Sequence, residues 1–254
     1  MKSAGIVAPR IIVNAVEGWG KTTLGAFAPD PAILMADGET GYVTLRGAGL
    51  VPDVDCTEIQ DWAALLALLD AWATNGCDYK TIVLDALAGF EKLCHTAVCQ
   101  RDFNGDWTEK GFLSYHKGYD LSVNDWLLML ARLDRVRAKT GTTVLLLSHS
   151  TVKQFKNPLG PDYDKFVACC HDKTWNATAK WADAVLFGTF YQTVEVDKTK
   201  RARGIGGNDR ILYTTNRDAW TAKNRYAMPE VIDMPAKAEA MWSTLWTAIT
   251  GGKK

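Results

Sequence analysis

Short apolar runs, several of them rich in β-branched residues, recur along this chain between longer stretches of mixed composition. The run RIIVNA predicts a strand at residues 10–15, followed by a glycine-rich turn and a short helix at 21–27. The run TIVL predicts another strand at 81–84, which ends in Asp85. The same pattern predicts further strands at residues 32–36, 142–147, 184–190, 193–196 and 211–215.

Helical spacing of apolar residues marks several of the stretches between these strands. Apolar positions in 58–73 fall on one side of a predicted helix. Ser122, with Asp125 three residues later, predicts the start of a longer helix that Gly141 ends. The closing segment predicts a helix with Asp233 as its N-cap. The apolar positions that define the first and last of these helices are Trp62, Leu65, Leu66, Leu69, Trp72, Trp242, Leu245, Trp246 and Ile249.

Strands that alternate with helices of ten or more residues are typical of βαβ units. The predicted fold class is therefore α/β, with a mainly parallel twisted sheet and helices on both faces. No internal repeat or low-complexity linker divides the chain. We therefore expect a single domain over residues 1–254, with a C-terminal strand, hairpin and helix elaboration over about 190–254.

Composition excludes several function classes. The 29 Lys and Arg residues balance 29 Asp and Glu residues, so any nucleic-acid role has to rest on a local basic surface. The six cysteines lack paired C-x-x-C spacing, which favours reduced thiols over disulfides or a structural zinc site. No apolar run reaches the roughly 20 residues that cross a bilayer, and the first residues do not resemble a signal peptide. We expect a cytoplasmic protein with no membrane partner.

The sequence AVEGWGKTT, residues 15–23, lies between the first strand and the first helix and has the character of a phosphate-binding loop. Glycines let the backbone wrap phosphate oxygens, Lys21 would reach the β and γ phosphates, and Thr22 would bind Mg²⁺. Ala15 stands where the usual G-x-x-x-x-G-K-[ST] loop has its first glycine, which puts the loop shape in doubt. The residues predicted to bind the cofactor, ATP with Mg²⁺, are Glu17, Gly18, Trp19, Gly20, Lys21, Thr22 and Thr23.

Two acidic positions complete the predicted catalytic site. Asp85 ends a buried strand, where a carboxylate can hold Mg²⁺ beside the phosphate loop, although a strand-terminal Asp can also be purely structural. The next residue is Ala86, so an adjacent Glu cannot orient the attacking water. Glu39, just past the second strand, is the candidate for that role, and Asp37 is its competitor.

These pieces in this order resemble the RecA-like P-loop core shared by the RecA, RadA and KaiC ATPases, and more closely the small phage ATPases of the Sak group, described as RecA-like single-strand annealing proteins. In RecA-type chains a D-x-E after the second core strand carries the catalytic glutamate, which corresponds to Glu39. The family places a polar γ-phosphate sensor at the end of the fourth strand, which corresponds to His149. Without the resemblance, His149 is equally well explained as a structural hydrogen-bonding residue.

The segment AKNRYAMP, residues 222–229, is similar to the K-N-R-F-G motif of bacterial RadA and the K-x-R finger of KaiC-type proteins. There, the cations reach the nucleotide of a neighbouring subunit, a role that would fall to Lys223 and Arg225. Tyr226 and Ala227 depart from the motif, and a solvated basic loop is the alternative. The resemblance implies a homo-oligomer, either a filament or a ring.

RecA-like proteins hold single-stranded DNA with two loops, which correspond here to residues 101–119 and 151–174. Both mix aromatic residues with cations, as expected for base stacking and phosphate contacts, but either could be a subunit contact instead. A basic run at 198–210 reads as a hairpin tip that could bind phosphates, or as solvated surface. Its cations are Lys198, Lys200, Arg201, Arg203 and Arg210.

The leading hypothesis is an ATP-dependent, single-stranded-DNA-binding recombination or annealing protein of the Sak group, a DNA-stimulated ATPase in the cytoplasm of a bacterial host. A single-strand DNA-binding protein is a further candidate partner. One alternative is a P-loop motor or loader that acts on protein partners in helicase loading or packaging. Another is a non-catalytic nucleotide-binding module, which Ala15 makes plausible.

Overall fold

The computed structural model of the chain describes residues 7–196 and 202–252. Its strands are β1 (Arg10–Ala15), β2 (Pro31–Ala36), β3 (Asp55–Ile59), β4 (Thr81–Asp85), β5 (Thr143–Phe155), β6 (Tyr163–Ala168), β7 (Ala184–Val196), β8 (Ala202–Tyr213), β9 (Lys223–Asn224) and β10 (Val231–Met234). Its α-helices are α1 (Lys21–Ala26), α2 (Gly41–Gly47), α3 (Trp62–Asn75), α4 (Leu87–Phe103), α5 (Lys117–Thr140), α6 (Asp172–Trp181) and α7 (Met241–Thr250).

The central sheet has the strand order β10-β8-β7-β1-β5-β4-β2-β3. From β7 to β3 every neighbouring pair is parallel, whereas β8 and β10 join antiparallel at one edge. Strand β6 forms an antiparallel hairpin with the extended end of β5. The predicted α/β fold class, a mainly parallel sheet covered by helices, is confirmed by this topology.

Successive side chains along the strands face two different apolar cores, one on each side of the sheet. On β1, Ile11 and Val13 face the core formed with α1, α2 and α7, whereas Ile12 faces the core formed with α3, α4, α5 and α6. All three side chains are fully buried. Since successive side chains of a strand point to opposite faces, each parallel strand supplies both cores and the sheet is covered on both sides.

The predicted strands are present, but several predicted boundaries are wrong. Ser122 is not a helix start: it lies inside α5, where its hydroxyl donates to the Gly118 carbonyl at 2.8 Å. Asp233 is not an N-cap, because it lies in β10. The predicted strands at 184–190 and 193–196 are one strand, β7, with a register shift between Phe190 and Gln192. The strands and α-helices with no counterpart in the prediction are β3, β6, β9, β10, α2, α4 and α6.

The two segments expected to be loops are largely ordered. Residues 101–119 contain the end of α4, a 3₁₀ turn and the start of α5, gathered around the fully buried Phe112. His95 packs on Phe112, with ring centroids 5.6 Å apart. Residues 151–174 contain the β5–β6 hairpin and the start of α6. Both segments therefore contain regular elements that anchor them to the fold.

No helix in the described ranges is both long enough and apolar enough to span a bilayer. That the chain forms one domain stays a prediction.

The imidazole of His95 makes the stability of the fold sensitive to acid. Burial, with a smaller contribution from His171, lowers its pKa from 6.5 to about 4. Unfolding restores the ordinary pKa, so the unfolded chain binds the proton first, and stability falls as the pH drops from about 6.5 towards 4. We expect the unfolding free energy to fall by about 1 kcal/mol more in the wild type than in His95→Phe between pH 7 and 5. Equal losses in urea titrations of both proteins would contradict this assignment.

Candidate nucleotide-binding site

At one edge of the sheet, four adjacent parallel strands bring together most of the predicted site residues; β1, β4 and β2 end there, whereas β5 continues to Phe155. In sheet order they are β1, β5, β4 and β2. Strand β1 leads into the predicted phosphate loop, and Ala15 at its end pairs with His149 on β5. On the other side of β5, Asp85 ends β4 and pairs with Met35 of β2, the strand that precedes Glu39. Open parallel sheets bind their ligands at this edge.

The loop after β1 turns sharply through two glycines. Gly18 has a φ of 72° and Gly20 a φ of 103°, values that favour glycine over any residue with a side chain. The backbone N–H of Leu24 donates to the carbonyl of Gly20 at 2.9 Å, which starts α1 directly after the turn. The sequence puts the shape of this loop in doubt because of Ala15. The observed loop nevertheless places Lys21 and Thr22 beside the end of β1.

The ammonium of Lys21 is held inside this loop. Its Nζ donates to the carbonyls of Ala15 and Val16 at 3.0 and 3.1 Å. Burial lowers the pKa of Lys21, while the nearby carboxylates of Asp85 and Glu17 oppose the shift. A phosphate oxygen can replace these neutral carbonyls with a charged acceptor, which makes a stronger hydrogen bond.

Thr22 and Asp85 are in direct contact. The Thr22 hydroxyl donates to Asp85 Oδ2 at 2.5 Å. Burial raises the pKa of Asp85; the Thr22 hydrogen bond opposes that shift, and the carboxylate of Glu39 adds to it. Mg²⁺ prefers oxygen ligands such as hydroxyl and carboxylate groups. A bound cation would also favour the ionised form of Asp85. The pair therefore fits a magnesium ion shared with a nucleotide.

The position of Glu39 distinguishes it from Asp37. The half-buried Glu39 lies close enough to Lys21 and Asp85 to shift the pKa of each. The exposed Asp37 contributes to neither shift, and its backbone N–H is bonded to the carbonyl of Ile59. Of the two acidic residues predicted from position alone, Glu39 is the less exposed.

Ala15 is accommodated by a glycine on the neighbouring strand. A Cβ at Gly188 of β7 would lie 2.8 Å from the Ala15 Cβ and 2.7 Å from Cε2 of Trp19. Because Gly188 has no side chain, there is room for the methyl group of Ala15. The loop keeps its glycine turns even though its first position is not glycine.

Two residues of the predicted cofactor set differ in what they can offer a nucleotide. Glu17 is exposed on the loop. The indole of Trp19 is fully buried and donates from Nε1 to the carbonyl of Ile211 at 3.1 Å. Trp19 can therefore contribute only its main chain to phosphate binding, and its side chain ties the loop to β8.

The loop opens into a cavity of about 420 Å³. Arg210 lines this cavity, and its Nε donates to the Trp19 carbonyl at 2.6 Å. The sequence predicts Arg210 at a basic hairpin tip, and only the register of β8 shows that it lies beside Gly20. Of the same basic run, Lys198, Lys200 and Arg201 lie outside the described residues. The other lining residues are Gly18, Gly20, Lys21, Thr22, Thr23, Leu45, Leu50, His149, Ala236, Ala238 and Met241.

Lys223 and Arg225 are not brought to this site. The Nζ of Lys223 donates to three carbonyls around the end of α6, those of Ala179, Lys180 and Ala182, at 2.6–3.0 Å. The guanidinium of Arg225 donates to Asp183 at 3.1 Å, beside the start of β1. Both cations therefore lie at the opposite edge of the sheet from the phosphate loop of their own chain.

A larger cavity of about 690 Å³ also lies at that opposite edge. It is lined by Asp30, Pro31 and Asp55 at the starts of β2 and β3. None of the residues predicted to bind nucleotide contributes to it, so its size does not make it the candidate site.

Comparison with known proteins gives a family for the chain. The family model described as "AAA domain" matches residues 8–226, which include every residue of the site except those of α7 and the segment before it. No curated protein matches the chain. Among solved structures the chain is similar to one described as the crystal structure of the RadB recombinase, with 11% identity, a TM-score of 0.46, and coverage of 92% of this chain and 91% of that chain.

The close packing of Ala15 against Gly188 can be tested by its effect on the stability of the fold. We expect Gly188→Ala to lower the unfolding free energy by about 1–3 kcal/mol, because the new methyl overlaps Ala15 and the Trp19 ring. Adding Ala15→Gly should recover part of that loss. Gly207→Ala, where the nearest atom is 3.7 Å away, is the matched control. Urea unfolding in which Gly188→Ala behaves like the control would refute this packing.

Arg210 should contribute to nucleotide affinity from within the same chain. We expect Arg210→Ala to weaken ATP binding about tenfold, the usual effect of losing a charge-assisted hydrogen bond. Titration with a fluorescent ATP analogue measures it, and thermal melting checks the fold. Arg217→Ala, which removes an exposed guanidinium paired with Glu230, is the control. Unchanged affinity in Arg210→Ala would exclude Arg210 from the site.

Proposed function

The chain belongs to the AAA domain family, and from that premise we propose that it is a P-loop ATPase that acts on single-stranded DNA in recombination or annealing. The observation that carries the ATPase part is the contact between Thr22 and Asp85 beside the buried ammonium of Lys21. A hydroxyl, a carboxylate and a lysine in this arrangement match the needs of Mg²⁺-ATP and of few other ligands.

Each residue at the sheet edge has a distinct role in this proposal. Lys21 binds the β and γ phosphates after exchanging the Ala15 and Val16 carbonyls for phosphate oxygens. Thr22 and Asp85 hold Mg²⁺, which neutralises phosphate charge when bound. Glu39 aligns the attacking water and accepts its proton. His149, on the strand between β1 and β4, contacts the γ phosphate.

Arg225 is better placed than Lys223 to contact the nucleotide of a neighbouring subunit. Arg225 is 52% exposed and makes one ion pair at the protein surface, so a neighbouring subunit can reach it. Lys223 would first have to leave three carbonyl acceptors at the end of α6. We therefore assign the finger to Arg225 in a homo-oligomeric filament or ring, with Lys223 holding the segment in place.

Exposed aromatic residues and cations support the DNA part of the proposal. Tyr115 is 98% exposed and Trp107 is 43% exposed on the first segment, 101–119. The β5–β6 hairpin carries the exposed Phe155, with the ammonium of Lys165 5.2 Å from its ring centroid. Aromatic faces beside cations are typical of proteins that bind single strands without sequence preference.

The finer assignment rests on the sequence resemblance. The D-G-E triplet at 37–39 and the K-N-R triplet at 223–225 favour a phage protein of the Sak group, acting in the bacterial cytoplasm with a single-strand DNA-binding protein as a further partner.

A second candidate function is a P-loop motor or loader with a protein partner. Leu127 and Leu128 on α5 are 45% and 53% exposed, an adjacent apolar pair that a protein surface could cover. This function predicts ATP turnover that single-stranded DNA does not change. A non-catalytic module predicts nucleotide binding with no turnover.

A hydrolysis assay with and without single-stranded DNA tests the proposal. We expect turnover that DNA stimulates and that Lys21→Ala abolishes. Glu39→Gln should lower turnover about 10²–10⁴-fold while ATP still binds, as expected for the loss of a general base. Asp37→Asn removes the neighbouring exposed carboxylate and should retain activity.

Three results would contradict particular parts of the proposal. Turnover unaffected by DNA favours the motor or loader. ATP binding without turnover favours the non-catalytic module. Full activity in Glu39→Gln with loss in Asp37→Asn would move the catalytic role to Asp37.

A further inference from the structure

A third cavity lies against the extended part of β5. Its volume is about 350 Å³, and it is enclosed by the β5–β6 hairpin, by α6 and by the end of β1. No residue that lines the nucleotide cavity lines this one. We call it the hairpin cavity.

The deepest polar group of the hairpin cavity is Asn14 on β1. The residue is 3% exposed, and its Oδ1 has no hydrogen-bond partner within the described part of the chain. Leaving a buried acceptor unpaired costs stability, so an unpaired amide at the floor of a cavity indicates a ligand that donates to it. Its register partners on the neighbouring strands are Ser148 and Phe187, and neither donates a hydrogen bond to Asn14 Oδ1.

The walls of the cavity have the chemistry of a base and its phosphates. Phe166 and Trp175 supply aromatic surface, and both are partly exposed. Lys153 and Lys165 supply two cations against the single carboxylate of Asp172. Aromatic faces bind a base by stacking, and lysines bind the phosphates that flank it.

We propose that the hairpin cavity binds one unstacked base of a single strand. An N–H on the base edge donates to Asn14 Oδ1, the ring stacks against aromatic surface, and Lys153 and Lys165 contact the phosphates on either side. This inference rests on the proposed DNA-binding function and gives that function a defined site, which neither candidate segment has by sequence alone.

The location of Asn14 also connects such a base to the nucleotide site. The next residue is Ala15, whose carbonyl accepts the hydrogen bond from Lys21. Asn14 pairs in register with Ser148, the residue before His149. A base bound at Asn14 would therefore contact a residue that directly precedes the phosphate loop on β1 and that pairs with the residue before His149 on β5.

The test compares two strands and two proteins. A fluorescein-labelled oligothymidylate and the same backbone with abasic sites are titrated, with Mg²⁺ and ATP, into the wild type and Asn14→Leu. We expect the wild type to bind the base-containing strand about tenfold or more tightly than the abasic strand, the effect of losing base stacking. Asn14→Leu should lose the part of that difference that comes from the base held at Asn14, and should bind the abasic strand as the wild type does.

Two further variants separate the role of Asn14 from general effects. Trp175→Ala removes a partly exposed wall of the cavity and should reduce the same difference. Asn75→Leu replaces an exposed amide at the end of α3 and should leave it unchanged. Melting temperatures check folding, and that of Asn14→Leu should not fall because an unpaired polar group is removed.

The possible outcomes distinguish this inference from the proposed function. If the wild type binds neither strand, the DNA-binding function and the cavity assignment both fail. If it binds the base-containing strand preferentially and Asn14→Leu and Trp175→Ala keep that preference, only the cavity assignment is overturned. Binding of free thymidine monophosphate in place of either strand would make the cavity a site for a free nucleotide and overturn the single strand as its ligand.

Discussion

The hydrogen bond between Thr22 and Asp85 is the contact on which the rest of the site depends. It joins the phosphate loop to the end of β4, although β5 lies between β1 and β4 in the sheet. The contact exists because both strands are parallel and end at the same edge. An antiparallel placement of either strand would move one partner to the far side of the sheet. The parallel order thus brings the Thr22 hydroxyl and the Asp85 carboxylate together.

The C-terminal part of the chain completes the phosphate loop. Trp19 and Arg210 bond the loop to β8 through one indole N–H and one guanidinium, and Gly188 of β7 leaves room for Ala15. A loop without its usual first glycine keeps its shape because three contacts with neighbouring strands fix it. Residues far along the chain therefore determine the geometry of a motif near its start.

Local patterns in the sequence predicted five of the six parallel strands, the glycine turn after β1 and the edge of the sheet at which Asp85 lies, because each depends on residues close together in the chain. Arg210 could not be assigned in this way, since its position depends on the β7–β8 register. Ser122 has the spacing of a helix start, yet packing around Phe112 extends α5 back to Lys117. For Lys223, the sequence could not reveal the carbonyls at the end of α6 that bind its ammonium.

The central claim is that Thr22 and Asp85 hold a magnesium ion that is shared with a bound nucleotide. Calorimetric titration of ATP with and without Mg²⁺, in the wild type and in Asp85→Asn, measures this most directly. Mg²⁺ should strengthen ATP binding to the wild type, and Asp85→Asn should lose most of this gain. No binding heat from ATP with Mg²⁺, or an equal gain in both proteins, would contradict it.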